Sequence, residues 1–165
     1  MLRAKIALLL LCCTAWPIAA RAANNCPWLT EATAGGLLGG DAVGAFTKAA
    51  AGQPAVCFFI SDAQGVRRTL RITVETAANA HIEVATMAHS CGPDAVPLRA
   101  IGNEAIACAA DDRKAGTGQR AIGRVRDQVF TVTLLSPLKV DPMLPRDALK
   151  SKIYTAAEQV SGNLY

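Results

Sequence analysis

Nucleophilic catalysis needs a base within reach of a serine or cysteine, and this chain of 165 residues holds only two histidines, His81 and His89. No Gly-x-Ser-x-Gly elbow accompanies them. Cys91 next to His89 is the nearest Cys/His approach, but it reads better as a half-cystine than as a reactive thiol. His81 and His89, with Glu83 between them, stand two helical turns apart and cannot share an ion as an i, i+4 pair would. Asp111 and Asp112 are adjacent in a polar segment, where solvation is the ordinary role of carboxylates. Gly116-Thr117-Gly118-Gln119-Arg120-Ala121 fits the loose dinucleotide template, yet a β-rich stretch follows where a helix start would have to hold the pyrophosphate. The expectation is no catalytic residue, no metal and no cofactor.

Basic residues offer a different chemistry. Arg113, Lys114, Arg120, Arg124 and Arg126 are placed to gather on one edge with Arg67 and Arg71 and hold an anionic ligand. The competing reading is a solvated strand face balanced by Asp111, Asp112 and Asp127, which is what surface charge clusters usually are. Trp28 beside Cys26 reads as a core residue packed on a disulfide.

The compartment is read from the first residues. Arg3 and Lys5 precede an apolar run from Ile6 to Trp16, and Ala20-Arg21-Ala22 supplies a small-x-small site, so residues 1–22 are expected to be a secretory signal peptide. The run falls short of the roughly 20 residues that span a bilayer. A lipobox wants Gly or Ala before its cysteine, whereas Cys12 follows Leu11, Cys13 follows Cys12 and Cys26 follows Asn25. A secreted or periplasmic product is expected, without a stable membrane anchor, as a single domain over residues 23–165.

Cleavage there also removes Arg3, Lys5 and Arg21 from the 17 basic residues, which bring them close to the 13 acidic ones. A near-neutral surface has no long-range field to steer nucleic acid or anionic lipid. Four cysteines stay: Cys26, Cys57, Cys91 and Cys108. In an exported chain they read as two disulfides with three pairings open. Cys26 with Cys57 and Cys91 with Cys108 is favoured, because each bond joins neighbouring segments without crossing loops.

Periodicity supplies the elements that position these groups. Thr30 caps a short helix through Leu38, closed by Gly39 and Gly40, and residues 41–50 are expected to add a turn or two behind Asp41. The run Val56 to Ile60 is apolar at every position and reads as a central strand covered on both sides. Val66 to Glu75 alternates and reads as a strand with one wet face, Arg68 being the exception on the inner row. A helix follows over 77–91, with Ala80, Val84, Met87 and Cys91 on one stripe. Glu104 to Ala109 is a strand, 111–119 a loop, and Ile122–Arg126 and Val129–Leu135 a hairpin turning at Asp127 and Gln128. Pro145 opens a last helix with its stripe at Leu149, Ile153, Ala157, Val160 and Leu164. The sum is an α+β fold, an antiparallel sheet of about five strands with helices packed on it and two disulfides.

Cys26-Pro27-Trp28-Leu29-Thr30, Leu38-Gly39, Cys57 in a strand and Gly102-Asn103-Glu104-Ala105 occur in that order. Together they resemble a family of small exported actinobacterial proteins of unknown function. That family reads Cys-x-Leu-Leu-Thr near the mature start, a Leu-Gly helix end, a second cysteine and a Gly-Asp-Glu-Ala turn. Many members are lipoproteins, and the family is similar to extracellular sensor domains of bacterial receptor kinases, with a disulfide-held sheet and a cleft. The resemblance implies a Cys26–Cys57 bond and supplies no catalytic residues. This chain departs from it in lacking a lipobox, in Trp28, and in Asn103 where Asp is usual.

The functional expectation is a non-enzymatic ligand-binding or sensory module of the cell envelope, taking a small molecule or peptide in an apolar cleft. The alternative is an interaction subunit that docks on another exported protein through a sheet edge or an apolar patch.

Overall fold

The computed structural model describes residues 25–110 and 116–165. The expected signal peptide, and Asp111, Asp112, Arg113 and Lys114 of the basic cluster, lie outside the described residues.

The first described element is helix α1 (Glu31–Leu38), whose N-cap Thr30 accepts a hydrogen bond from the Thr33 backbone N–H. Gly39 ends it in the left-handed conformation, φ 83°, and donates its N–H to Gly35 O. Gly35 weakens the helix but is needed there, since a Cβ would fall 2.8 Å from Gly40 O where the chain turns back.

Strands β1 (Val43–Thr47), β2 (Ala55–Ser61) and β3 (Arg68–Thr76) follow as an antiparallel meander, with a 3₁₀ turn at Ala63–Gly65 between the last two. Helix α2 (Ala80–His89) and a second 3₁₀ turn at Gly92–Asp94 lead to β4 (Val96–Pro97). Then come β5 (Glu104–Ala109), β6 (Thr117–Val125), β7 (Gln128–Ser136) and helix α3 (Arg146–Gly162). The sheet order is β1-β2-β3-β7-β6-β5-β4, antiparallel throughout.

Among the described residues the fold is thus α+β with an antiparallel sheet, three helices and two disulfides, and the sheet has seven strands where about five were expected. One extra strand is β1, which replaces the helical turns expected over 41–50. Its residues bury alternately, Gly44 and Phe46 inward against Val43, Ala45 and Thr47 outward, and pairing with β2 overrides the local signal. Gly44 is required, because a Cβ would meet the Phe59 ring at 2.7 Å. The other extra strand is β4, two residues long. The expected loop over 111–119 gives way to strand from Thr117, and the β6–β7 turn sits at Arg126 and Asp127, one residue early.

One face of the sheet carries the main core: Cys57, Phe59, Leu70, Ile72, Phe130, Val132 and Leu134 are each at most 1 % exposed. Helix α1 lies over β1–β3 and α3 over β5–β7 on this side. Leu149, Ile153, Ala157 and Val160 supply the expected stripe of α3, all buried. Lys152 ties the two helices by donating from Nζ to Gly36 O and Leu37 O, both at 2.8 Å, which satisfies carbonyls at the end of α1. Trp28 is buried in this core with its ring edge-on to Phe46, 5.8 Å between centroids.

The opposite face is only half covered. Helix α2 packs Ala80 and Val84 on Ile122 and Val129, with Met87, Cys91 and Ile106 beside them. It sits over β6 and β7. Beyond it, among the described residues, no helix covers the second face of β1, β2 and β3.

Candidate functional site

Cysteine pairing is sequential. Cys26–Cys57 fastens the start of the described chain to β2, and Cys91–Cys108 fastens the end of α2 to β5, each with a Cα–Cα distance of 5.6 Å. Both bonds fit an oxidising setting. Among the described residues, no helix is long and apolar enough to cross a membrane.

Of the described basic residues, Arg120 and Arg124 lie on β6 and Arg126 in the turn after it. Arg124 is ion-paired to Glu104, which also bonds Nδ1 of His81 at 2.7 Å. Burial raises the Glu104 pKa, but hydrogen bonds from Arg124 and His81 outweigh it and leave the carboxyl below its ordinary value. Arg126 sits in the turn, its guanidinium 5.9 Å from the Tyr165 ring centre. Arg67 is exposed and bonds Asp62 through two nitrogens, at 2.9 and 3.0 Å. Arg120 leans on the Cys91–Cys108 bond: Nη2 donates to Ser90 Oγ at 3.1 Å and lies 4.0 and 3.9 Å from the two sulfurs. Gly116 and Gly118 serve packing, since a Cβ on either would run into the β7 backbone, and a strand follows them.

The inner-row exception, Arg68, is buried at 1 % exposure and paired with Asp141 of the connector before α3. Asp141 also accepts from Ser136 Oγ at 2.6 Å and from the Met143 N–H at 2.9 Å. The Arg68 guanidinium holds the Asp141 carboxyl down at about 2, against the opposing effect of burial. This enclosed network holds the connector on the sheet end. Sequence reasoning missed it because Asp141 lies 73 residues away; the lone charge on an inner row was the available signal.

Two of the hollows among the described residues lie near Trp28 and near Cys26. The larger, about 400 Å³ and half open, is lined by Trp28, Ala55, Val74, Gln53, Glu75 and Gln128. The smaller, about 180 Å³, lies beside Cys26, Glu31, Gly44 and Phe59.

The open half-face is the larger feature. Val43 is 74 % and Phe58 38 % exposed, while Val56, Ile60 and Leu135 are half-buried on the same side. The expectation that the β2 run would be covered on both sides is therefore corrected: Cys57 and Phe59 face the core, and Phe58 faces out. Register places Phe58, Arg71, Thr133 and Arg120 in one row across β2, β3, β7 and β6. The β1 edge beside this face is partly closed, since the Gly44 backbone N–H donates to Glu31 Oε1 at 2.7 Å. A sequence pattern could have located the face only through the excess of apolar side chains in β2 over what one buried side needs.

Comparison with protein-family models, with curated proteins and with solved structures gave no match.

Proposed function

We propose that the chain is an exported, non-enzymatic interaction module that docks on another exported protein through the open half-face of β1–β3. The observation that carries this reading is the exposure of Phe58 and Val43 on a sheet face whose other half is covered by α2. Contiguous exposed apolar surface of this kind marks interaction sites. The two disulfides fit an oxidising compartment, and the part-closed β1 edge favours the face over strand addition.

Phe58→Asp tests it, because the side chain packs outside both cores. The variant should melt close to the wild type and lose a stoichiometric partner recovered with the wild type from envelope extract. A variant that keeps that partner contradicts the reading.

A second reading rests on the hollow beside Trp28, whose volume of about 400 Å³ lies at the lower end of small-molecule sites. It keeps the sensory role implied by the resemblance to receptor-kinase sensor domains. Saturable quenching of Trp28 fluorescence by an envelope lipid, glycan or peptide would favour it; absence of quenching across these classes would remove it.

A further inference from the structure

We propose that Cys91–Cys108 is a site of thiol–disulfide exchange, at which an external dithiol attacks Cys91 Sγ and Cys108 leaves as a thiolate received by Arg120. This inference goes beyond the docking reading and does not depend on it.

Register is the first ground. Across the β5–β6 pair Glu104 stands opposite Arg124, and four residues along, Cys108 stands opposite Arg120. The first pair is an arginine on a carboxylate. In the second, sulfur holds the place of the carboxylate, with Arg120 Nη2 3.9 Å from Cys108 Sγ and 4.0 Å from Cys91 Sγ. Disulfide sulfur is a weak acceptor. Arg120 Nε is buried and has no hydrogen-bond partner among the described residues, so the oxidised form leaves a donor of a charged group unsatisfied. A thiolate on Cys108 gives the guanidinium a charged acceptor.

The polarity of the bond is the second ground. Cys108 is buried in β5 at 3 % exposure, whereas Cys91 is half-buried just past the end of α2. An incoming thiolate therefore meets Cys91 Sγ first. Negative charge is disfavoured on Cys91, which follows the carbonyl end of α2, and favoured on Cys108 beside the guanidinium. Access and electrostatics name the same attacked sulfur and the same leaving group. Ser90 holds the guanidinium ready, its hydroxyl donating to Met87 O at 2.6 Å and accepting from Arg120 Nη2 at 3.1 Å.

Cys26–Cys57 supplies the contrast. It also joins a half-buried cysteine to a buried one, but the charged side chain lining the hollow beside Cys26 is the carboxylate of Glu31. That charge repels an approaching thiolate and stabilises no leaving one.

The first thiolate of the dithiol bonds to Cys91 Sγ as the Cys91–Cys108 bond breaks, and the electron pair leaves on Cys108. The second sulfur of the dithiol, deprotonated, then attacks the first, closes the dithiol's own disulfide and releases Cys91. Two electrons and two protons pass from the dithiol to the two cysteines. The exchange unfastens the end of α2 from β5, while His81 keeps the first turn of the helix bonded to Glu104.

The test treats the oxidised full chain with dithiothreitol under native conditions at one fixed pH, quenches by alkylation and reads each cysteine by peptide mass mapping. Cys91 and Cys108 should become alkylated at least ~10-fold faster than Cys26 and Cys57, and Arg120→Gln should slow them by roughly 10-fold. Arg120→Lys, which keeps a positive charge, should fall between the glutamine variant and the wild type. Damage to the fold exposes a disulfide and speeds its reduction, so the expected slowing has the opposite sign to a structural defect. With glutathione, a monothiol, the mixed disulfide should be trapped on Cys91 and the free thiol on Cys108. Equal rates for the two disulfides, Arg120→Gln reduced as fast as the wild type, Arg120→Lys no faster than Arg120→Gln, or glutathione trapped on Cys108 would each overturn the proposal.

Discussion

The guanidinium of Arg68 lies against the carboxylate of Asp141, Nε to Oδ2 at 2.6 Å and Nη2 to Oδ1 at 2.8 Å, with both side chains at most 2 % exposed. Geometry of this quality offsets the cost of taking two charges out of water, and Ser136 and Met143 satisfy the remaining acceptor sites. Removing one partner leaves a buried charge alone. Asp141→Asn should therefore destabilise the fold by about 3 kcal/mol in urea unfolding, whereas replacing Arg68 and Asp141 together with Met and Leu should cost much less.

The same pair sets an acid limit. The Asp141 pKa is lowered from 3.8 to about 2 in the folded chain. A depressed carboxyl stabilises the fold fully above its unfolded pKa, and that stability is lost as pH falls from near 4 through about 2. The loss amounts to roughly 2 kcal/mol. Stability measured from pH 6 down to 2 should fall over that lower window, and the fall should be shallower in Asp141→Asn.

Glu31 guards the sheet edge through its bond to the Gly44 N–H. Removing the acceptor frees a backbone donor on β1, and such edges pair with one another. Glu31→Ala should raise self-association in analytical ultracentrifugation, while Glu31→Gln, which keeps an acceptor oxygen, should stay near wild type. Equal behaviour of the two variants would show that the contact does not protect the edge.

The two disulfides should differ in worth. Each crosslink restricts the unfolded chain by about 3 kcal/mol in the loop-entropy account. Cys57 belongs to the main core with Cys26 packed against it, whereas Cys91 packs on the smaller cluster under α2, so loss of Cys26–Cys57 also disturbs the main core. The Cys26→Ala, Cys57→Ala pair should melt lower than the Cys91→Ala, Cys108→Ala pair, and a non-reducing peptide map should recover only the sequential linkages.

Ala100 holds a left-handed backbone, φ 62°, on the exposed approach to β5. An L side chain pays roughly 1 kcal/mol there relative to glycine. Ala100→Gly should raise the melting temperature by a few degrees, and a fall would mean that the methyl group makes contacts that outweigh the strain.

Much of this fold was legible in the chain. Thr30 and Gly39 bracket α1, the alternation of Leu70, Ile72 and Val74 marks β3, and the stripe from Leu149 to Val160 marks α3, because each is a local signal of capping or period. What escaped is what depends on distant partners. Residues 43–47 become a strand only because β2 is there to pair with, and Arg68 is explained only by Asp141. The basic cluster was legible as charge but not as arrangement: β6 sets Arg120 and Arg124 four residues apart, and Arg120 leans on the Cys91–Cys108 bond. Phe58 looked like core because its neighbours are apolar, and its exposure has no trace in the sequence of β2.

Docking through that open half-face is tested most directly by placing a photo-crosslinking residue at position 58, with a control at the exposed position 150 of α3, in cells that export the chain. Position 58 should yield one discrete adduct with a second protein, and position 150 none. No adduct at position 58, or the same adducts from both positions, would contradict the account.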